Sequence, residues 1–229
     1  MQSDGMESNW AAENLQTIRT LMERSALYRR ALAPVMSFAG AVGILAAFVG
    51  ILLHVECAFA FIGYWLGVAI VGLMGAFFLV RRQALKSSEP FWSPPTRRVA
   101  TALLPCLTAG FVLGVWFFMV SLRPLDGDPL TGTVGDHSML LSLVTIWTIF
   151  YGCALHAAGF YTLRGIRLLG WLFIAAGIAI MFMVIAGQRQ DFPLGIFQVA
   201  HCLMGSLFGL LQLAYGIYLY FTEKRGNES

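Results

Sequence analysis

Six long uncharged apolar segments constrain this chain more than any other feature of its sequence. Each is about 20 residues long, which is the length that an α-helix needs to cross the hydrocarbon core of a bilayer. Charged residues make up only 12% of the 229 residues, whereas soluble domains contain about 25%. The sequence therefore predicts an all-α membrane protein, a bundle of six transmembrane helices.

The predicted chain has three parts. Residues 1–33 form a tail and an amphipathic surface helix, because apolar residues from Leu15 to Ala26 share one helical face and charged residues cover the rest. Residues 34–221 form the transmembrane domain, and residues 222–229 form a C-terminal tail. Pro105 predicts a kink or a late start in the third span, and residues 164–167 are predicted as the turn between spans 4 and 5. The approximate span bounds are 35–54, 58–80, 99–122, 138–163, 168–186 and 194–221.

The basic residues predict an orientation. With the N-terminus in the cytoplasm, the cytoplasmic segments contain about 13 of the 15 Lys and Arg residues. We therefore expect both termini and the surface helix to be cytoplasmic. The apolar run that begins after residue 33 lies too far along the chain for a cleavable signal peptide. A bacterial cytoplasmic (inner) membrane is the expected location, and the small positive net charge gives no indication of nucleic-acid binding.

The last span contains a stripe of polar and small residues at helical spacing. An unpaired amide or imidazole is costly in lipid, so this stripe is predicted to face protein. The stripe comprises Gln198, His201 or Cys202, Gly205, Gly209, Gln212 and Gly216.

Span 4 has a similar stripe, and spans 4 and 6 are predicted to be parallel and in direct contact. Counting along both helices at about 1.5 Å per residue places His156 beside Gln212, and His201 beside Ser142 or Thr145. The candidate ligand-binding or interhelical polar residues are therefore His156, Gln212, His201, Gln198, Thr145 and Ser142. The span 4 stripe comprises Ser138, Ser142, Thr145, Gly152, His156 and Gly159.

These polar residues have two interpretations. The first is interhelical hydrogen bonds that fix helix register, each worth roughly 0.6–2 kcal/mol. The second is an intramembrane site for a ligand or a proton path. No cofactor is predicted, because His156 and His201 differ in depth by roughly 16 Å and cannot share one haem iron. No catalytic group is predicted either. A weaker alternative is a metal site at the outer face, with candidate ligands His54, Glu56, His137, His201 and Cys202.

Three stretches together resemble a family of uncharacterised bacterial six-span membrane proteins. The resemblance covers nearly the whole chain and implies a six-span fold without an established activity; it also implies that histidine is frequent at the position of Gln212. The stretches are Leu15-x-x-Ile18-Arg19-x-Leu21-Met22-Glu23-Arg24, Arg164-x-Ile166-Arg167-x-Leu169-Gly170-Trp171, and Phe208-Gly209 followed by Tyr215-Gly216-Ile217-Tyr218-x-Tyr220.

The sequence thus predicts a non-enzymatic accessory, scaffold or regulatory component of a membrane assembly. Its expected partners are the lipid bilayer and either another membrane protein or further copies of the chain. One alternative is a small transporter or ligand-binding protein with a polar site between spans 4 and 6. The other is a haem- or metal-binding redox protein.

Overall fold

The computed structural model describes residues 32–86, 94–122, 134–187 and 195–228. Every regular element in these ranges is a helix, and six helices are long and apolar enough to cross a membrane. The prediction of an all-α, multi-pass membrane protein is therefore confirmed. The predicted surface helix and the side chain of His137 lie outside what the structure describes.

Five spans are regular α-helices, and the sixth contains a π-helical segment. Span 6 is a continuous helix in three parts, in which a π-helical segment (Gly205–Leu211) separates α6 (Ile196–Met204) from α7 (Gln212–Glu228). The other helices are α1 (Leu32–Leu52), α2 (Ala58–Lys86), α3 (Pro94–Ser121), α4 (Val134–Ala158) and α5 (Arg164–Gly187).

α4 lies at the centre of the bundle. It contacts α3, α5 and α6, and half of its spanning residues (50%) are buried. In α2 and in α3, only 11% of the spanning residues are buried. The packing of spans 4 and 6 against each other is confirmed, whereas α2 lies at the periphery.

The two ends of the bundle differ in charge. Consecutive helices run antiparallel, so the end of α2, the start of α3 and the α4–α5 turn lie at the same end. We call this the basic end, because every basic side chain that the structure describes lies there. The one acidic side chain in the described part, Glu56, lies at the opposite end, between α1 and α2. The basic side chains are Arg81, Arg82, Lys86, Arg97, Arg98, Arg164 and Arg167.

α1 and span 6 form a close antiparallel helix pair. A Cβ atom built on Gly43 would lie 2.5 Å from the carbonyl oxygen of Phe208, and one built on Gly209 would lie 2.8 Å from the backbone nitrogen of Ile44. Apolar burial does not drive helix association in lipid, so small residues that let backbones touch supply the contact. The span 6 stripe faces protein as predicted, but its glycines meet α1 rather than span 4.

α4 and α5 form a second close pair, and the turn between them lies earlier in the chain than predicted. A Cβ atom built on Gly152 would lie 2.8 Å from the carbonyl oxygen of Gly170, and one built on Gly159 would lie 2.7 Å from the Cβ of Arg167. The prediction that span 4 continues to residue 163 and that residues 164–167 form the turn was wrong. α4 ends at Ala158 because the chain reverses at Gly159, and the two arginines occupy the first turn of α5.

Pro105 does not delay the third span. α3 begins at Pro94 and continues through Pro105, so the prediction of a late start was wrong. Pro94 and Pro95 open the helix, where a backbone N–H has no intrahelical acceptor and proline is therefore favoured. Thr108, one turn after Pro105, donates its hydroxyl to the carbonyl of Leu104 at 2.7 Å.

The same substitution is expected to have opposite effects at two glycines. Gly43→Ala should lower the free energy of unfolding by about 1–3 kcal/mol, because the new methyl group meets backbone atoms of span 6. Gly67→Ala should raise it by about 0.5–1 kcal/mol, since no atom lies within 4 Å of a Cβ there and alanine is the better helix former. Denaturation of the two variants in detergent micelles measures both effects. Equal effects would contradict this packing.

Candidate functional site

His201 lies at the crossing of α1, α2 and α6 and is 1% exposed. The indole N–H of Trp65 donates to His201 Nδ1 at 3.2 Å, and His201 Nε2 lies 3.4 Å from the carbonyl oxygen of Val55. An indole nitrogen is only a donor, so Nδ1 must be the acceptor and the ring proton must reside on Nε2. Nε2 then donates to Val55, and both ring nitrogens are engaged.

The end of α1 builds the acceptor for His201. Val55 N–H bonds to the carbonyl of Gly50 and His54 N–H bonds to that of Ile51, while His54 has φ 50°. This is a Schellman turn with His54 in the left-handed position that usually holds glycine. The turn leaves the Val55 carbonyl free for the imidazole. Gly50 has no side chain, and the ring of His201 occupies that space.

Aromatic rings enclose His201, and its two ring nitrogens lie against Trp65 and Val55. Its ring centroid lies 4.8 Å from that of Phe61 and 6.0 Å from that of Tyr64, both on α2. The predicted partner Thr145 instead donates to the carbonyl of Leu141 within α4 at 2.8 Å. Ser142, the other predicted partner, is half-buried on α4. The imidazole is held by α1 and α2 because they supply a donor and an acceptor at its depth.

Gln212 is 3% exposed and begins α7, directly after the π-helical segment. Its side chain forms a hydrogen bond with the hydroxyl of Tyr151 on α4. Its Oε1 is buried and has no partner among the described residues. A group of apolar and aromatic side chains packs around this pair, including Leu155, Phe173 and Phe208. The site is therefore an apolar environment that contains one hydrogen bond between Gln212 and Tyr151 and one acceptor, Gln212 Oε1, without a donor among the described residues.

The predicted pairing of Gln212 with His156 was also wrong. The π-helical segment bonds i to i+5 and so takes more residues per turn than an α-helix. A depth calculated from the rise per residue of an α-helix is therefore wrong for every residue after the π-helical segment. Gln212 meets Tyr151, which lies more than one turn before His156.

His156 lies in a different place, between aromatic rings of the α4–α5 hairpin. Its ring makes edge-to-face contacts with Phe160 at 5.3 Å and with Trp171 at 5.2 Å between centroids. Its Nδ1 is buried without a hydrogen-bond partner in the described part of the chain. Gln198, the remaining candidate, is half-buried in the first turn of α6. The six candidates thus do not form one site.

The predicted outer-face metal ligands that the structure describes are not assembled into a site. His54 Nδ1 lies 3.6 Å from a carboxylate oxygen of Glu56, and both side chains are exposed. Cys202 is exposed with a free thiol, whereas His201 is enclosed and already bonded. Within the described ranges, no three His, Cys, Asp or Glu residues are placed to hold one metal ion.

The sequence reasoning missed the aromatic partners. Three aromatic donors link adjacent helices: Tyr64 donates to Ala46 O at 2.6 Å, Trp147 donates to Gly110 O at 2.9 Å, and Trp65 donates to His201. Tyr215 was missed as well; its hydroxyl is buried against Gly165 without a described partner. The available signal was the polar atom of each Tyr or Trp in an apolar span, because such an atom needs a partner when buried.

Comparison with known proteins finds no family model that matches the chain, and no curated protein or solved structure that matches it significantly. The resemblance to a bacterial six-span family therefore stays a prediction.

A double-mutant cycle is expected to detect the bond between Trp65 and His201. Trp65→Phe and His201→Leu should each destabilise the protein, with a coupling energy of about 0.6–1.7 kcal/mol, which is the range for hydrogen bonds between transmembrane helices. Unfolding of the four proteins in micelles gives this value. Trp116→Phe on the exposed side of α3 is the control and should show no coupling to His201→Leu. Additive effects of the first pair would exclude the bond.

Proposed function

We propose that this protein is a non-enzymatic accessory, scaffold or regulatory component of a membrane assembly. The observation that carries the proposal is the outward face of α2. Gly67 and Gly72 have no atom of the described residues within 4 Å of a built Cβ, whereas glycines of α1, α4, α5 and span 6 lie against neighbouring helices. In a bundle held together by glycine contacts, Gly67, which shares its face with Val71 and Met74, leaves room for one more helix.

The surrounding residues give that face its shape. Val71 and Met74 follow Gly67 at helical spacing and are 53% and 54% exposed. Their side chains lie beside the space that Gly67 leaves by having no side chain, which we call the glycine notch. A partner helix could pack against them. A transmembrane helix of another protein is therefore the proposed occupant.

The buried polar groups support a non-enzymatic role. Both nitrogens of His201 are engaged, and the buried hydroxyls of Thr145 and Thr148 donate to carbonyls of their own helix. These contacts connect or stabilise helices. A haem or metal role for His201 itself would need one of its ring nitrogens to be free to bind the iron or metal ion.

The charge asymmetry supports a location and an orientation. A bacterial cytoplasmic membrane with the basic end in the cytoplasm agrees with the tendency of cytoplasmic loops to carry Lys and Arg. Both termini would then be cytoplasmic.

Site-specific photocrosslinking in native membranes tests the proposal. A benzophenone amino acid at Val71 or Met74 should yield one protein adduct of discrete mass, because both side chains face the proposed partner. Gly67→Leu should remove the adduct by filling the notch while the protein still folds. The same probe in place of Phe182, which is exposed on α5, is the control and should yield only lipid adducts.

Two other crosslinking results would contradict a foreign protein partner at this face of α2. Lipid adducts alone from Val71 and Met74 would show that lipid covers this face, and the accessory role would fail. An adduct of twice the chain mass would replace the foreign partner by a second copy of this chain.

A specific observation favours a second candidate function, ligand binding at Tyr151 and Gln212. The buried Oε1 of Gln212 has no donor in the part of the chain that the structure describes, and an unsatisfied buried acceptor costs about 1–3 kcal/mol. A small apolar molecule with one hydroxyl or N–H would satisfy it. A π-helical segment beside the site agrees with this candidate, since such segments occur frequently at functional sites.

Native mass spectrometry of the protein extracted with its own lipids tests this candidate. A small bound mass should be present in the wild type and absent from Gln212→Leu. Gln198→Leu, which removes the same amide from the same span at a half-buried position, should retain it. Retention of the mass by Gln212→Leu, or its absence from the wild type, would contradict the site.

A further inference from the structure

The α4–α5 turn has two arginines that have no carboxylate partner among the described residues. Arg164 and Arg167 lie three residues apart in the first turn of α5, so they share one side of the helix. Neither makes an ion pair with a residue that the structure describes, and the one described acidic side chain is at the opposite end of the bundle. The positive charge at this turn is therefore available to an external anion.

One of the two guanidinium groups is held in place. Arg167 Cζ lies 5.3 Å from the centroid of the Phe160 ring, within the range of a cation–π contact. The backbone of Arg167 also packs against Gly159 at the end of α4. Arg164 opens α5, where the positive end of the helix dipole adds to the charge of its side chain.

An apolar surface continues from the arginines towards the membrane interior. Leu168, Trp171 and Leu172 are 69%, 57% and 50% exposed on α5. Edge-to-face contact with His156 orients the Trp171 ring. Tryptophan with this exposure is typical of the membrane interface, where its ring lies at the level of the headgroups.

We propose that the α4–α5 turn binds an anionic glycerophospholipid. Its phosphate lies between Arg164 and Arg167, and an acyl chain follows Leu168, Trp171 and Leu172. Charge complementarity favours an anionic over a zwitterionic headgroup, since the described part of this turn has no carboxylate for a headgroup ammonium. Basic sites on transmembrane helices at the headgroup level recognise lipids in this way.

Lipid competition followed by native mass spectrometry tests the site. The full-length protein in mixed micelles is titrated with phosphatidylglycerol against phosphatidylcholine. The wild type should prefer phosphatidylglycerol, and Arg164→Gln/Arg167→Gln should weaken that preference roughly 10- to 30-fold. Arg81→Gln/Arg82→Gln is the matched control, because it removes equal charge from an exposed pair at the same end of the bundle. The control should retain most of the preference.

A second measurement needs no change to the arginines. Phosphatidylglycerol with brominated acyl chains should quench the fluorescence of Trp171 more than brominated phosphatidylcholine at the same mole fraction. The signal of Trp171 is the difference between the wild type and Trp171→Phe. Equal quenching by the two lipids, or an equal loss of preference in the two arginine variants, would overturn the proposal in favour of general attraction to the basic end.

Discussion

The close contact between α1 and span 6 determines most of the arrangement. Lipid is as apolar as leucine, so two helices gain little by hiding apolar side chains from it, and van der Waals contact between backbones has to hold them together. Gly43 lies against the backbone of Phe208, and Gly205 lies against Ala47. The same contact brings Gly50 to His201. The polar contacts of His201 therefore depend on glycine packing along the pair.

The π-helical segment allows span 6 to contact both α1 and α4. Gly209, inside the segment, lies against α1, whereas Gln212, directly after it, reaches Tyr151 on α4. Each additional residue turns the following side chains by about 100° around the helix. A local change in helical pitch thus turns small residues towards one partner helix and a polar residue towards another. The segment ends immediately before Gln212, whose buried Oε1 has no donor among the described residues.

The sequence was sufficient for the spans and for which side of span 6 is buried, because length, charge and helical spacing carry that information directly. It was insufficient for the partners. His201, Gln212 and His156 were paired by depth along regular helices, but depth does not say which of several neighbours faces a residue. The π-helical segment also has no signature that spacing alone would show. Trp65 and Tyr151 were overlooked because aromatic residues in apolar spans resemble core residues until a polar neighbour is found.

His201 and Gln212 differ in how completely their buried polar atoms are bonded. Both side chains are almost fully buried. His201 has one donor and one acceptor around it, and these match the two ring nitrogens of a neutral imidazole. A second molecule would have to break a bond to reach it. Within the described ranges, Gln212 is bonded at one end of its amide only. An additional donor would be stabilised there without loss of an existing contact, so an interior ligand should bind at Gln212 rather than at the more conspicuous histidine.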